Sequence, residues 1–174
     1  AITSAMLHPE RPLIAVLGGA KVSDKLPLLE ALIPKSDMIL IGGAMANTFL
    51  AERGLELGKS KVEPDQSAIV KQIYAKAVKK VGAEKIDDFL VLPRDVAIGK
   101  DTSAHSRRRN VALDGVKAED MVLDIGDETI EAYSRVLGHA KTVIWNGTLG
   151  FAEREAFAHG SARVALALAT SSSV

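Results

Sequence analysis

Apolar, β-branched runs that break at glycine and hand over to helical spacing recur along this chain, and they predict its elements. Leu13 to Leu17 meets Gly18 and Gly19, and a helix follows with Leu26, Leu29 and Ile33 on one face. Pro27 fits only in a first turn, so Asp24 is the expected N-cap. Met38 to Ile41 meets Gly42 and Gly43, then a helix from Met45 to Arg53 closed by Gly54. After a polar loop from Gly58 to Pro64, Asp65 opens a helix to Val81. It sets Ile69, Ile73, Ala77 and Val81 on one face, with Lys71, Lys76, Lys79 and Lys80 largely on solvated ones. Phe89 to Leu92 is a third strand, and Asp95 to Ile98 is extended and pairs with Val111 to Leu113. The polar segment between them, with Arg107, Arg108 and Arg109, reads as an exposed loop. Met121 to Ile125 meets Gly126 and a helix to Leu137 capped by Gly138. Thr142 to Trp145 opens onto Asn146, Gly147 and Gly150, then a helix from Arg154 to Ala169. The first ten residues pattern weakly as a helix end, stopped by Pro9 and Pro12.

Five alternations of strand and helix imply an α/β fold, a Rossmann-like three-layer αβα arrangement around a mainly parallel sheet. Ligands bind such sheets beyond the carboxyl ends of the strands. The glycine loops at 18–19, 42–43, 126 and 147–150 all follow strands, so they are expected along one edge, where they outline an elongated site suited to a nucleotide. Gly18 and Gly19 let backbone approach a ligand, and the free N–H groups of the helix that follows are a candidate anion seat. Lys21 lies in that turn. Lys25 stands in the first helical turn, where a cation opposes the helix dipole unless an anion joins it.

Composition narrows the chemistry. The 174 residues suffice for one domain, and 22 basic residues balance 22 acidic ones, so no general field draws nucleic acid or a membrane surface. No apolar run approaches a bilayer-spanning length and no secretory leader pattern opens the chain, so a cytoplasmic protein is expected. The absence of cysteine removes disulfides and thiolate chemistry, and His8, His105, His139 and His159 show no metal-ligand spacing. Neither the P-loop spacing nor G-x-G-x-x-G occurs, which disfavours a dinucleotide oxidoreductase and requires another loop design for any nucleotide.

Six ordered blocks supply one. RPLIAVLGGAKVSDKL (Arg11 to Leu26), LIGGAMANTFL (Leu40 to Leu50), LGKS (Leu57 to Ser60), LPRDV (Leu92 to Val96), LDIG (Leu123 to Gly126) and TVIWNGTLGFAEREAFAHG (Thr142 to Gly160) together resemble the C-terminal, nucleotide-binding domain of phosphoglycerate kinases. The resemblance implies reversible phosphoryl transfer between ATP and 3-phosphoglycerate, a step of glycolysis, with Mg2+ on the nucleotide. It implies that Lys21 contacts the transferring phosphoryl group and Lys25 the phosphates behind it. Backbone at Gly18, Gly19, Gly42 and Gly43 would meet the adenine, with Leu123 as an apolar wall. Asn146 and Gly150 would lie near the base, and Glu153 would take the ribose hydroxyls. A carboxylate can accept from both hydroxyls, a physical reason that stands beside the likeness.

Ala44, Lys61, Val122, Thr148 and Ala152 depart from the family pattern. Val122 is expected to crowd the adenine and Thr148 to loosen a loop that proline would stiffen. The family's N-terminal substrate domain and a later GGGD segment are not found in the sequence. The expectation is therefore that residues 1–174 form a C-terminal domain incomplete at its end, part of a kinase that is monomeric at full length and inactive as this piece alone. The alternative is a non-catalytic nucleotide-binding or interaction module. An incomplete sheet would also leave Thr142 to Trp145 or a neighbour as an unpaired edge.

Overall fold

The computed structural model describes residues 8–172, so the helix end expected over the first ten residues lies largely outside the described residues. Strand β1 (Leu13–Leu17) is buried along its whole length. Its alternation divides the core: Ala15 and Leu17 join one apolar cluster, Ile14 and Val16 the other. A strand that is apolar on both faces can be satisfied only between two helical layers. Strand β2 (Met38–Ile41) repeats the division, with Ile39 and Ile41 on one side and Leu40 on the other. Helices α1 (Val22–Leu32), α2 (Gly43–Glu52) and α3 (Ser67–Val81) contribute to the first cluster.

The other layer is made by later helices. After a short helix α4 (Ile86–Phe89) comes strand β3 (Leu90–Val91), then β4 (Asp95–Gly99), β5 (Arg109–Ala112) and β6 (Met121–Ile125). Helix α5 (Asp127–Leu137), strand β7 (Thr142–Asn146) and helix α6 (Glu155–Ser172) complete the order. Ile130, Tyr133, Leu137 and Val164 of α5 and α6 pack on the second cluster. The buried Tyr133 hydroxyl donates to the Ile41 carbonyl at 2.6 Å and is within 3.2 Å of that of Val91, tying α5 to the ends of β2 and β3.

The expected three-layer arrangement is present, and its parallel sheet runs in the order β3-β2-β1-β7. Among the described residues β7 pairs with β1 alone and forms an edge, as anticipated for Thr142 to Trp145. The sheet itself departs from expectation at one strand. Met121–Ile125 does not continue the parallel sheet but joins a second, antiparallel sheet in the order β5-β4-β6. Its sequence, MVLDI, carries a carboxylate and is only half-buried at its first three residues. That suits a ribbon with one open face better than a strand enclosed between helices. The expected pairing of Val96 to Ile98 is realised with a shift: Val96 faces Val111, Ala97 faces Asn110 and Ile98 faces Arg109, leaving Leu113 outside the strand.

Helix starts also differ from the sequence reading. Helix α1 begins at Val22, not after Asp24; Lys21 is its N-cap residue and Pro27 lies inside it. Helix α2 begins two residues early, at Gly43, and α3 two residues late, because Asp65 takes a left-handed φ of 59°. Helix α5 starts where expected, but its cap comes from afar. The Asp95 carboxylate accepts from the N–H groups of Glu128 (3.1 Å) and Thr129 (2.9 Å). A side chain on Gly126 would collide with that carboxylate, so Gly126 belongs to this cap and does not join the other glycine loops.

Candidate functional site

Three of the glycine loops do converge. The Gly18 N–H donates to the Asn146 carbonyl (2.8 Å), the Gly19 N–H to that of Thr148 (3.0 Å), the Gly43 N–H to that of Leu149 (3.0 Å) and the Met45 N–H to that of Gly19 (2.9 Å). The carboxyl ends of β1, β2 and β7 are thereby laced into one backbone cradle. The geometry admits almost no side chain. At Gly43, with φ at 70°, a Cβ would lie 2.6 Å from the Gly19 oxygen, and at Gly18 it would collide with the Thr148 carbonyl. The close approach inferred for Gly18 and Gly42 is therefore an approach to the 147–149 loop, and neither residue lines the cleft that opens beyond the cradle.

That cleft has a volume of about 570 Å3, within the range of small-molecule sites. Of the residues proposed from the sequence, Gly19, Gly43, Leu123, Gly150 and Glu153 line it. Leu123 and Val122 form part of one wall from β6, beside Val96 of β4, so the second sheet that departs from expectation supplies the apolar side of the site. Val122 also lines the cleft, and its N–H is held by the Ser60 hydroxyl at 2.7 Å. Thr148 does more than replace a proline. Its hydroxyl donates to the Gly150 carbonyl at 3.0 Å, a tie that proline has no group to make.

The remaining predicted residues stand at one end. The Lys25 ammonium lies over Gly19 and donates to the Asn146 side-chain oxygen, so these two are partners with each other outside the cleft wall. Lys21 is exposed and lines an adjoining cavity of about 320 Å3 with Ala20, Lys61, Glu63 and Gln66. Ala20 and Lys61 border both spaces, so the two are continuous along their walls.

The anion seat expected at the start of α1 is already taken. Glu63 accepts from the Ser23 N–H at 3.1 Å and from the Ser23 hydroxyl. Burial raises the Glu63 carboxyl, but the Ser23 hydroxyl and N–H, the Val22 N–H and the nearby Lys21 charge outweigh it and hold it below the usual carboxylate range. Sequence reading missed this cap because it arrives from forty residues away, carried by a loop that the Thr48 hydroxyl and Asn47 amide pin to α2. Glu63→Gln is expected to lower stability by about 1 kcal/mol, the usual worth of a helix cap. The wild-type contribution is present above the unfolded-state pKa and is lost as pH falls through the lower folded one, so urea melts should show the variant's deficit at pH 7 and a smaller one as the pH is taken below the usual carboxylate range.

Two further groups were not anticipated. Arg108, read as part of an exposed loop, is turned inward with 14% of its side chain exposed, and it donates to the fully buried Asp124 at 2.6 Å. Asp124 borders the cleft beside Leu123. Burial pushes its carboxyl up to about 6 against the opposing pull of Arg108 and of the Gly160 and Ile125 N–H groups.

Comparison with known proteins bears on what this cradle is. The family model described as phosphoglycerate kinase matches residues 1–174. A phosphoglycerate kinase of Chloroflexus aggregans is 46% identical over 171 residues, covering 98% of this chain and 41% of its own length. That of Moorella thermoacetica is 44% identical over 165 residues, 95% of this chain and 40% of its own length. Among solved structures, the phosphoglycerate kinase of Coxiella burnetii superposes with a TM-score of 0.87 at 36% identity, over 95% of this chain and 41% of the other. The chain thus spans about 40% of the length of the curated relatives it matches. With its ordered glycine loops, its three-layer fold and a family match along its entire length, the chain belongs to the phosphoglycerate kinase family.

Proposed function

We propose that this chain is the nucleotide half of a phosphoglycerate kinase, a cytoplasmic glycolytic phosphotransferase that moves a phosphoryl group reversibly between ATP and 3-phosphoglycerate. One observation carries the reading furthest: the backbone cradle of residues 18–19, 42–43 and 146–149 opens onto a cleft with an apolar wall at Leu123 and a carboxylate at Glu153, with two lysines beside one end. The base would lie between Leu123 and the Gly43 backbone, and Glu153 is available to accept from the ribose hydroxyls. The phosphates would then run toward Lys25, Asn146 and Lys21.

Because Glu63 takes the first two N–H groups of α1, at Val22 and Ser23, the phosphates at that end would be met chiefly by ammonium groups. Phosphoryl transfer asks chiefly for alignment and charge neutralisation. In the transfer a carboxylate oxygen of 3-phosphoglycerate bonds to the γ-phosphorus as the bridging bond to ADP breaks, and Lys21 offsets the charge on the equatorial oxygens. Mg2+ would arrive on the nucleotide phosphates. The 3-phosphoglycerate site belongs to the family's remaining length, and the full-length enzyme acts as a monomer.

Calorimetric titration with magnesium ADP tests the reading. Saturable binding is expected, weakened about tenfold or more by Lys25→Met and by Glu153→Gln, since each removes a charge-assisted contact. Wild-type protein that takes up no ADP at millimolar concentration would overturn it.

A further inference from the structure

The Arg108 to Asp124 pair sits where three parts of the cleft meet. Asp124 lies between Leu123, whose side chain lines the cleft, and the helix that follows Glu153. One carboxylate oxygen accepts from the Gly160 N–H of α6 at 2.7 Å, and the other from the Ile125 N–H at 2.8 Å. Arg108 completes the figure by donating to the Ala156 carbonyl of α6 (2.9 Å) and to the Ile125 carbonyl of β6 (2.9 Å). Ala156 and Gly160 are one turn apart in α6, so the ion pair grips the first turns of this helix by both a carbonyl and an N–H. The fit is close. A side chain at Gly150 or Gly160 would collide with the Asp124 carboxylate.

The loop between Gly150 and α6 carries Glu153, whose own carboxylate is exposed and held by no side-chain partner in the described residues. Its position is set by its neighbours. The Phe151 N–H donates to the Leu123 carbonyl at 2.7 Å, the residue directly before Asp124, and Arg154 donates to the Thr102 carbonyl at 2.7 Å, in the same 99–110 segment that carries Arg108. Base wall, ribose loop and α6 are therefore joined through one buried ion pair, whose arginine comes from the 99–110 loop that itself borders the cleft at Thr102.

We infer that Arg108 and Asp124 are positioning residues of the nucleotide cleft, holding the Glu153 loop at the distance from the Leu123 wall that lets one nucleotide engage both. The inference rests on the nucleotide reading above and adds to it a part for the 99–110 segment. It follows that losing the guanidinium fork impairs recognition of the ribose hydroxyls while the base and phosphate contacts persist.

The test compares magnesium ADP with magnesium 2′,3′-dideoxy-ADP by calorimetry, for the wild-type chain, Glu153→Gln, Arg108→Met and Arg108→Lys. Wild type should prefer ADP by roughly tenfold or more, the worth of hydrogen bonds to a charged group. Glu153→Gln and Arg108→Met should each bring that preference to within about twofold of unity, and Arg108→Lys, which keeps the charge without the fork, should lie between. The double variant should lose nothing more, because both act through one contact. An Arg108→Met protein with a lowered melting temperature but an intact preference for ADP would show a merely structural pair and overturn the inference. Should that variant fail to fold, an undiminished preference in Arg108→Lys would overturn it equally. Wild type binding both ligands alike would refute the ribose contact on which the inference stands while sparing the cleft, whereas wild type binding neither would refute the nucleotide reading itself.

Discussion

Lys21→Ala, placed in a phosphoglycerate kinase of full family length that carries this chain as its nucleotide domain, should lower kcat by about 10^2- to 10^3-fold, the usual effect of deleting one preorganised charge-stabilising group. Lys21 is suited to such a role because its backbone is fixed and its side chain is not. The residue is the extended N-cap of α1, immediately after a cradle whose loops are mutually hydrogen bonded, while the side chain is exposed beside the smaller cavity. Removing it breaks no described hydrogen bond or ion pair within 4.0 Å, so the fold should survive, with a melting temperature within a few degrees of wild type. It does relieve Glu63 of a favourable charge, so the carboxyl should titrate somewhat higher in the variant. The Michaelis constant for ATP should change less than kcat if the Lys21 contact is made most fully with the phosphoryl group in flight between the donor and acceptor oxygens. Steady-state kinetics that return an unchanged kcat would remove Lys21 from the reaction.

Arg108→Met should cost about 3 kcal/mol of folding stability near pH 8 and distinctly less near pH 5. The variant leaves the Asp124 carboxylate buried with only N–H donors, and breaking a buried pair from one side carries a penalty of this order. The pH dependence follows from linkage. Asp124 has its folded pKa raised from 3.8 to about 6, so its contribution to stability is fully present below the unfolded value and is lost as pH rises through the folded one. Without the guanidinium the folded value rises further, and the deficit relative to wild type therefore grows with pH. Below pH 5 the carboxyl is protonated in both proteins and only the lost hydrogen bonds remain. Urea denaturation of wild type, Arg108→Met and Asp124→Asn between pH 4.5 and 8 would show this as diverging curves. An Arg108→Met deficit that stays constant across the range would mean that Asp124 keeps its charge state throughout.

Much of this architecture is legible in the amino-acid order because it depends on local periodicity. The runs at 13–17 and 38–41 are apolar at every position, which only a strand covered on both faces tolerates, and the glycine pairs that follow mark the ends from which ligands are reached. Strands β1, β2, β6 and β7, most of the helix that follows each of them, and the cleft residues Gly19, Gly43, Gly150 and Glu153 are visible at that level, whereas Leu123 as an apolar wall entered only through the family resemblance. What misled the reading was chemistry supplied from a distance. Asp24 looks like a helix cap until Glu63, forty residues on, caps the helix earlier. Gly126 looks like a ligand loop until Asp95 fills the space beside it. Arg108 looks like one of three solvated arginines until a buried carboxylate claims it.

The sequence by itself determined the three-layer α/β class, the order of elements and the glycine loops that make a backbone cradle possible, because strand burial, helix spacing and backbone freedom are properties of neighbouring residues. Only the tertiary structure decided that β6 enters a separate antiparallel sheet to become the apolar wall, that the α1 terminus is filled from within, and that Arg108 and Asp124 join wall to loop. These are pairings between groups far apart in the chain. A buried charge or an unpaired N–H demands a partner, and nothing in the local pattern says which distant residue will meet it.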